Sequence, residues 1–209
     1  MTQSEAEQFD LILRRSEKGF SQPEIEALSH YYRLVMKWNS RLHLTTITEP
    51  SEFFERHIVE SAFAAEKILP SIKQVWDLGS GAGIPGLVIA IRYPAFETSL
   101  VEANHRKSLF LDEVIAELKL PNARVVRARF ESLDQATKQA CITVRAIEGM
   151  ERLVSELLNF GEQASQMIFL GGERLEDQIR LHLDAEWTME NLLIPGSKRR
   201  YLVNAIRST

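Results

Sequence analysis

Thiols are nearly missing from this chain: Cys141 is the one cysteine among 209 residues. An intrachain disulfide and a multi-thiolate metal site are therefore excluded. No His, Cys and Asp residues fall at metal-ligand spacing, so no metal is expected. Long apolar runs are missing too. None approaches the roughly 20 residues of a membrane span, and no membrane partner is expected. The opening residues Met1-Thr2-Gln3-Ser4-Glu5 are polar and acidic, unlike a secretory signal. These features lead to the expectation of a cytoplasmic protein. A cationic excess is also lacking, because 25 Lys and Arg face 29 Asp and Glu, for a net charge of −4. Any nucleic-acid footprint must then be local. Candidates are His105-Arg106-Lys107, the set Arg124, Arg127 and Arg129, and Lys198-Arg199-Arg200.

Against these absences stands one glycine-rich stretch, Val75-Trp76-Asp77-Leu78-Gly79-Ser80-Gly81-Ala82-Gly83-Ile84-Pro85-Gly86. It reads as a buried strand, a tight turn and a helix start. Pro85 suits the first helical turn, where its missing N–H costs nothing. Asp77 falls at the strand's C-terminal end, where ligands bind in open α/β sheets. Gly81-x-Gly83-x-x-Gly86 satisfies the dinucleotide fingerprint, with Glu102 at the distance of a ribose-binding acid. Asp77-x-Gly79-x-Gly81-x-Gly83 equally matches the first motif of S-adenosylmethionine (AdoMet) methyltransferases. A turn without a ligand is the third reading.

The order of elements separates these. Residues 4–19, 21 to about 40, and 51–68 carry helical apolar spacing, giving an N-terminal helical extension over 1–70. From residue 71 to 209, strands at 73–78, 97–102, 123–127, 141–145 and 166–170 alternate with helices at 84–92, 105–118, 131–138, 149–161 and 173–183. Such alternation requires a parallel sheet with right-handed crossovers. Residues 186–194 and 199–206 read as a hairpin around Pro195-Gly196-Ser197. Five βα units closed by a hairpin predict a Rossmann-like, seven-stranded, mostly parallel sheet, the class I AdoMet-dependent methyltransferase fold. A dinucleotide domain more often ends in parallel strands.

Candidate ligand residues follow from the strand ends. Glu102 can accept two ribose hydroxyls. Ala128 and Arg129 can offer backbone groups to an adenine edge, and Phe130 can either stack on that ring or pack in the core. The fourth strand ends in Arg145, where many amino-group methyltransferases carry Asn/Asp-Pro-Pro-Tyr/Phe. Arginine binds phosphate or a purine edge through two parallel hydrogen bonds. Cys141 lies at the far end of that strand and His57 on a helix, and both read as packed side chains. With no base and no nucleophile in view, the chemistry that fits is attack by a ring nitrogen such as guanine N7. Its lone pair needs no deprotonation, only alignment.

In this order, Lys37-Trp38-Asn39, Leu44-Thr45, Arg56-His57, the Asp77–Gly86 stretch, Arg106-Lys107 with Phe110-Leu111, Arg129 with Glu131, Arg145-Ala146, and Arg200 with Leu202-Val203 resemble the bacterial small-subunit rRNA methyltransferase G family, also called glucose-inhibited division protein B. The resemblance spans almost the whole chain. It implies AdoMet-dependent methylation of guanine N7 in the 530 loop of 16S rRNA, with 16S rRNA or the 30S subunit as partner and a monomeric enzyme. It implies cofactor contacts at Asp77, Gly79, Gly81, Gly83, Glu102, Ala128 and Arg129; Ser80, Phe130, Glu131 and Arg145 are further cofactor-binding candidates. It places Arg145 as the substrate-positioning residue and Arg106, Lys107 and Arg200 on RNA. The chain departs from the family pattern at His43, where asparagine is usual, at Gly171, where lysine is usual, and at Glu148, which adds a negative charge. A small-molecule or protein substrate, a non-catalytic AdoMet- or ribosome-binding module, and an NAD-dependent oxidoreductase are the competing readings.

Overall fold

Helices α1 (Gln3–Arg15) and α2 (Gln22–Leu42) open the chain in a computed structural model that describes residues 3–134, 136–145 and 150–208. The expected positions Ala146 and Glu148 lie outside these described residues. The Glu24 side chain accepts a hydrogen bond from Ser21 N–H at 2.7 Å, and Pro23 occupies the first turn. This closes the start of α2 as a capping box does. The helix stops at His43, whose φ of +49° takes the chain out of the helical path.

The expected helix over 51–68 is divided. Helix α3 (Pro50–Phe53) runs into a π-helical turn at Phe54–Val59, and α4 (Glu60–Glu66) continues it. A π turn inserts one extra residue per repeat and so rotates the following side chains about the axis. Helical periodicity in the sequence cannot reveal it, because the insertion is accommodated locally.

Strands β1 (Gln74–Leu78), β2 (Glu97–Val101), β3 (Ala123–Val126), β4 (Ala140–Arg145) and β5 (Gln166–Gly171) pair in parallel. Strands β6 (Trp187–Leu193) and β7 (Tyr201–Arg207) form the expected hairpin, and β7 runs antiparallel to β5. The order across the sheet is β3-β2-β1-β4-β5-β7-β6. The strand order therefore reverses between β1 and β4, where Asp77 is registered with Thr143. A crevice opens at such a reversal, beyond the strands' C-terminal ends. Helices α5 (Gly86–Arg92), α6 (His105–Leu118), α7 (Met150–Phe160) and α8 (Leu175–Arg180) make the connections.

Two local expectations change. Helix α5 starts at Gly86, so Pro85 precedes the first turn instead of entering it. Where a helix was expected at 131–138, the described residues show one short 3-10 turn, Phe130–Ser132. Phe130 is buried against Phe160, and Ala136 N–H donates to Phe160 O at 3.0 Å. The segment spends its side chain and backbone on α7, and a continuous helix would have to give both up.

Apolar packing crosses residue 70. Phe9, Leu28, Tyr31 and Phe53 share one core with Leu87, Leu100 and Leu111. Phe9 stacks on Tyr32 with centroids 4.2 Å apart. Tyr31 donates its hydroxyl to Ala82 O at 2.7 Å, inside the glycine loop. The N-terminal helices are thus packed into the same core as the sheet's helices. Phe9→Ala removes a fully buried ring and is expected to cost about 3–5 kcal/mol. Urea denaturation followed by tryptophan fluorescence and far-UV circular dichroism checks it. One coincident transition at lower urea is expected, and a separate early transition for the helices would contradict the shared core.

Candidate active site

The main chain of Gly79, Ser80, Gly81 and Ala82 forms one wall of a cleft of about 640 Å³. Gly79, Gly81 and Gly83 all take positive φ, at 68°, 56° and 90°. Gly86 has a different task. A Cβ there would lie 2.4 Å from Leu100 and 2.8 Å from Asp77 Oδ2. Only glycine lets α5 approach the sheet so closely.

Asp77 sits behind this loop. It is fully buried and accepts a hydrogen bond from Thr143 Oγ1 at 3.0 Å, while Oδ2 has no partner. Burial pushes its carboxyl up to about 6, against the pull of the polar groups around it. Glu102 is also mostly buried. Its two oxygens accept from Gly81 N–H at 2.8 Å and Asn104 N–H at 2.7 Å. One acid therefore fixes the middle of the glycine loop and the turn into α6. The Asn104 side chain then caps α6 by accepting from the N–H groups of Arg106 and Lys107.

The opposite wall comes from the N-terminal helices. His43, Leu44, Thr45, Thr46 and Ile47 line it. Asn39 clasps this segment from α2, with Nδ2 donating to Thr45 O at 2.8 Å and Oδ1 accepting from Thr45 N–H at 2.9 Å. Trp38 Nε1 and Lys37 Nζ both reach Glu113 on α6, at 3.0 and 3.1 Å. The Lys-Trp-Asn run is a clamp joining α2, the loop and α6.

At the head of the cleft lies a charged cluster around Glu60, whose side chain is 2% exposed. It accepts hydrogen bonds from Arg56 at 3.1 Å, from Arg145 at 3.2 Å, and from two nitrogens of Arg200 at 3.2 and 3.3 Å. A buried carboxylate costs several kcal/mol to desolvate unless it is paired and hydrogen-bonded. Here three guanidinium groups share that role. Arg145 also donates to Arg56 O at 2.6 Å and contacts His57 Nδ1 at 2.9 Å. A guanidinium is donor-only, so Nδ1 is the acceptor and Nε2 carries the proton toward Thr45 Oγ1, 2.8 Å away. Burial and the neighbouring Arg145 charge push His57 down to about 3. It is a neutral spacer holding Arg145 and Thr45. The π turn makes this cluster possible, since it carries Arg56 and His57 and delivers Glu60 at its end.

The structure thus brings Gly79, Ser80, Gly81, Lys107, Arg145 and Arg200 to one cleft. Asp77, Gly83 and Glu102 are not among its lining residues, and Glu102 is tied to the loop through Gly81 N–H. The residues following β3 lie elsewhere. Arg129 is exposed, and Phe130 takes the core position of its two readings. Phe130 and Glu131 line a separate hollow with Glu156 and Asn159. Ala128 lies in the turn after β3, its N–H donated to Val126 O, outside the cleft lining. Arg106 points into an adjoining hollow with Trp38 and Leu109. Cys141 is fully buried, and burial pushes its thiol up, far from nucleophilic use. Sequence reading missed Glu60 as a site residue. The Arg56–Glu60 spacing of four was a usable sign, but such pairs normally mark a solvated helix face.

With this geometry in place, comparison with known proteins is decisive. The GidB family model, described as rRNA small subunit methyltransferase G, matches residues 24–200. The chain belongs to this family. A Ribosomal RNA small subunit methyltransferase G from Nitrosomonas europaea is 34% identical, over 84% of this chain and 84% of its own. The protein of that name from Pseudomonas entomophila is 30% identical over 97% and 95%. Among solved structures, a ribosomal protein L11 methylase from Lactobacillus delbrueckii subsp. bulgaricus matches at a TM-score of 0.58 and 13% identity, covering 72% of this chain and 78% of its own. M. capricolum TrmK, in complex with S-adenosyl-homocysteine, matches at 0.57 and 10%, covering 71% and 67%. These structural matches carry the class I methyltransferase fold. Among the described residues no group of three His, Cys, Asp or Glu side chains converges as a metal site, and no helix is long and apolar enough to cross a membrane.

Two outcomes are expected of the charged cluster. Glu60→Gln leaves three buried or half-buried cations without their shared carboxylate, and about 3–5 kcal/mol of stability is expected to go. For His57, the folded value lies below the unfolded one of 6.5. Between these values the unfolded state binds the extra proton, so stability falls as pH drops from about 6.5 toward 3. His57→Gln keeps an acceptor and a donor but does not titrate. The gap in urea stability between wild type and His57→Gln is expected to shift against wild type by up to about 1.4 kcal/mol per pH unit across that window. A gap independent of pH would contradict a buried neutral His57.

Proposed function

We propose that the protein transfers a methyl group from AdoMet to N7 of a guanine in the 530 loop of 16S rRNA. The observation carrying this reading is the makeup of the cleft. Four cations, Arg56, Lys107, Arg145 and Arg200, line it, and no carboxylate or thiol stands among its described lining residues. Such a wall suits a polyanion. It suits a nucleophile that arrives with its own lone pair, because no proton has to be taken from it. The family's curated members carry the same rRNA methyltransferase name.

The residues fit AdoMet in chemistry. Gly79–Ala82 line the cleft with no side chain at Gly79 or Gly81, and Gly81 holds a φ of +56° that other residues rarely adopt. Glu102 is held against this loop through Gly81 and keeps lone pairs for hydroxyl donors. When bound, AdoMet supplies an electrophilic methyl on a sulfonium. Glu102 would hold its ribose and the loop its main body. Arg145, fixed from three sides, would orient the RNA, and its Nε has no partner. Arg200 and Lys107 would hold flanking phosphates. Proximity and alignment of this kind can supply roughly 7–11 kcal/mol of barrier reduction. The reading carries with it a monomeric cytoplasmic enzyme acting on 16S rRNA or the 30S subunit.

The test is methyl transfer from radiolabelled AdoMet to 30S subunits and to 16S rRNA, both lacking base methylation, with the labelled guanine mapped. Label at N7 in the 530 loop is expected. Label elsewhere, or none despite AdoMet binding, would overturn the assignment. Glu102→Ala is expected to weaken AdoMet binding about 10- to 100-fold, as loss of charged hydrogen bonds does, with the circular dichroism spectrum unchanged.

A further inference from the structure

A second hollow, of about 290 Å³, adjoins the cleft and takes no part in the chemistry above. Its floor is apolar, built from Trp38 and Leu42 of α2 and Leu109 and Phe110 of α6. Leu109 is 48% exposed and presents apolar surface at the hollow's edge. Two arginines, Arg41 and Arg106, stand at the rim, both exposed and without an ion-pair partner among the described residues. The Arg41 guanidinium lies 5.8 Å from the centroid of the Trp38 ring. Glu113 completes the hollow. Its Oε1 is taken by Trp38 and Lys37, and hydrogen bonding to them holds its pKa below the usual glutamate value against burial. Its Oε2 makes no hydrogen bond among the described residues, so Glu113 lines the hollow with an acceptor still open.

Each side of this hollow continues into the cleft by one step along the chain. Leu42 lines the hollow and His43 lines the cleft; Arg106 lines the hollow and Lys107 lines the cleft. The hollow and the cleft are therefore lined by neighbouring residues on both the α2 and α6 sides. The combination of an aromatic and aliphatic floor, guanidinium groups at the mouth and one acceptor inside is what an unstacked nucleobase requires. Bases stack on aromatic and apolar surfaces, their amino groups donate to carboxylates, and their phosphates sit on arginine. The apolar floor alone would suit many partners. The two unpaired cations favour a polyanionic chain, and the open acceptor on half-buried Glu113 favours a ring with N–H groups at its edge.

We propose that this hollow is a binding subsite for an unstacked RNA base flanking the methylated guanine, with its phosphate on Arg41 and Arg106 and its amino edge on Glu113. The proposal rests on the rRNA reading above. The subsite secures the strand on one side of the target, as Arg200 and Lys107 do within the cleft. It gives the enzyme a hold on loop RNA that duplex RNA, with its bases stacked, does not offer.

Leu109→Glu tests it, since the position is exposed and the fold tolerates charge there. With wild type, a single-stranded oligoribonucleotide of the target-loop sequence, carrying 2-aminopurine at each position in turn, is expected to change fluorescence on binding at one flanking position. With Leu109→Glu that change disappears. KM for rRNA rises about 10-fold or more, the scale of losing one stacked base, while AdoMet affinity and thermal stability stay unchanged. Arg41→Gln and Arg106→Gln together raise KM and flatten its salt dependence. An unaltered KM and fluorescence in Leu109→Glu would overturn the subsite while leaving the methyltransferase reading intact. A KM effect with assembled 30S subunits but none with protein-free RNA, and no fluorescence change, would assign the hollow to a protein partner and overturn it. Wild type that methylates no rRNA at all would overturn both readings together.

Discussion

The Glu60 carboxylate is the point on which the site depends. It is buried, charged and shared by Arg56, Arg145 and Arg200, which come from the π turn, the end of β4 and the turn just before β7. Without a common anion, three guanidinium groups so close together would repel one another and splay into solvent. With it, they are held as one rigid cationic surface at the head of the cleft. Binding an anion there requires little further ordering of side chains, and that ordering is a large part of what association costs. His57 extends the same control to Thr45 and hence to the loop that forms the facing wall.

The sheet supplies the other half of the site by a different means. Backbone geometry, rather than charge, shapes the glycine loop, with Glu102 bonded to Gly81 and Asp77 buried underneath. These two halves meet because α2 is packed into the core and its Tyr31 hydroxyl is bonded to Ala82. The N-terminal helices, distinct in composition from the α/β portion, are therefore structurally part of the cleft.

The seven-stranded, mostly parallel sheet and most element boundaries were legible in the sequence because strand-like and helical stretches alternate after residue 71, while the order of the strands across the sheet came from the structure alone. The strand ends followed, and with them Gly79, Ser80, Gly81 and Arg145 in the cleft. Phe130 was not decidable, since a ring after a strand serves equally for stacking or packing; the structure buries it beside Phe160, thirty residues away. Glu60 was not visible because its partner Arg200 is 140 residues distant, and only the fold makes them neighbours. The π turn escaped for a related reason: it changes direction without changing composition. Asp77 and Glu102 were recognised as acids at strand ends, but the role of Glu102 depends on the backbone N–H groups of Gly81 and Asn104, which every residue but proline carries, and that of Asp77 on a hydroxyl 66 residues away.

The span of the Glu60–Arg200 contact also bears on when the site comes into being. Closing so long a loop carries an entropic penalty that must be met before the contact returns anything. The glycine loop and its neighbouring strands are complete once β4 has joined β1, but the cationic head of the cleft waits for the last hairpin. A chain still emerging from its exit tunnel thus holds Arg56 and Arg145 without Arg200. The three guanidinium groups therefore come together only once β7 has paired with β5, which makes the cluster a late product of folding rather than a local one.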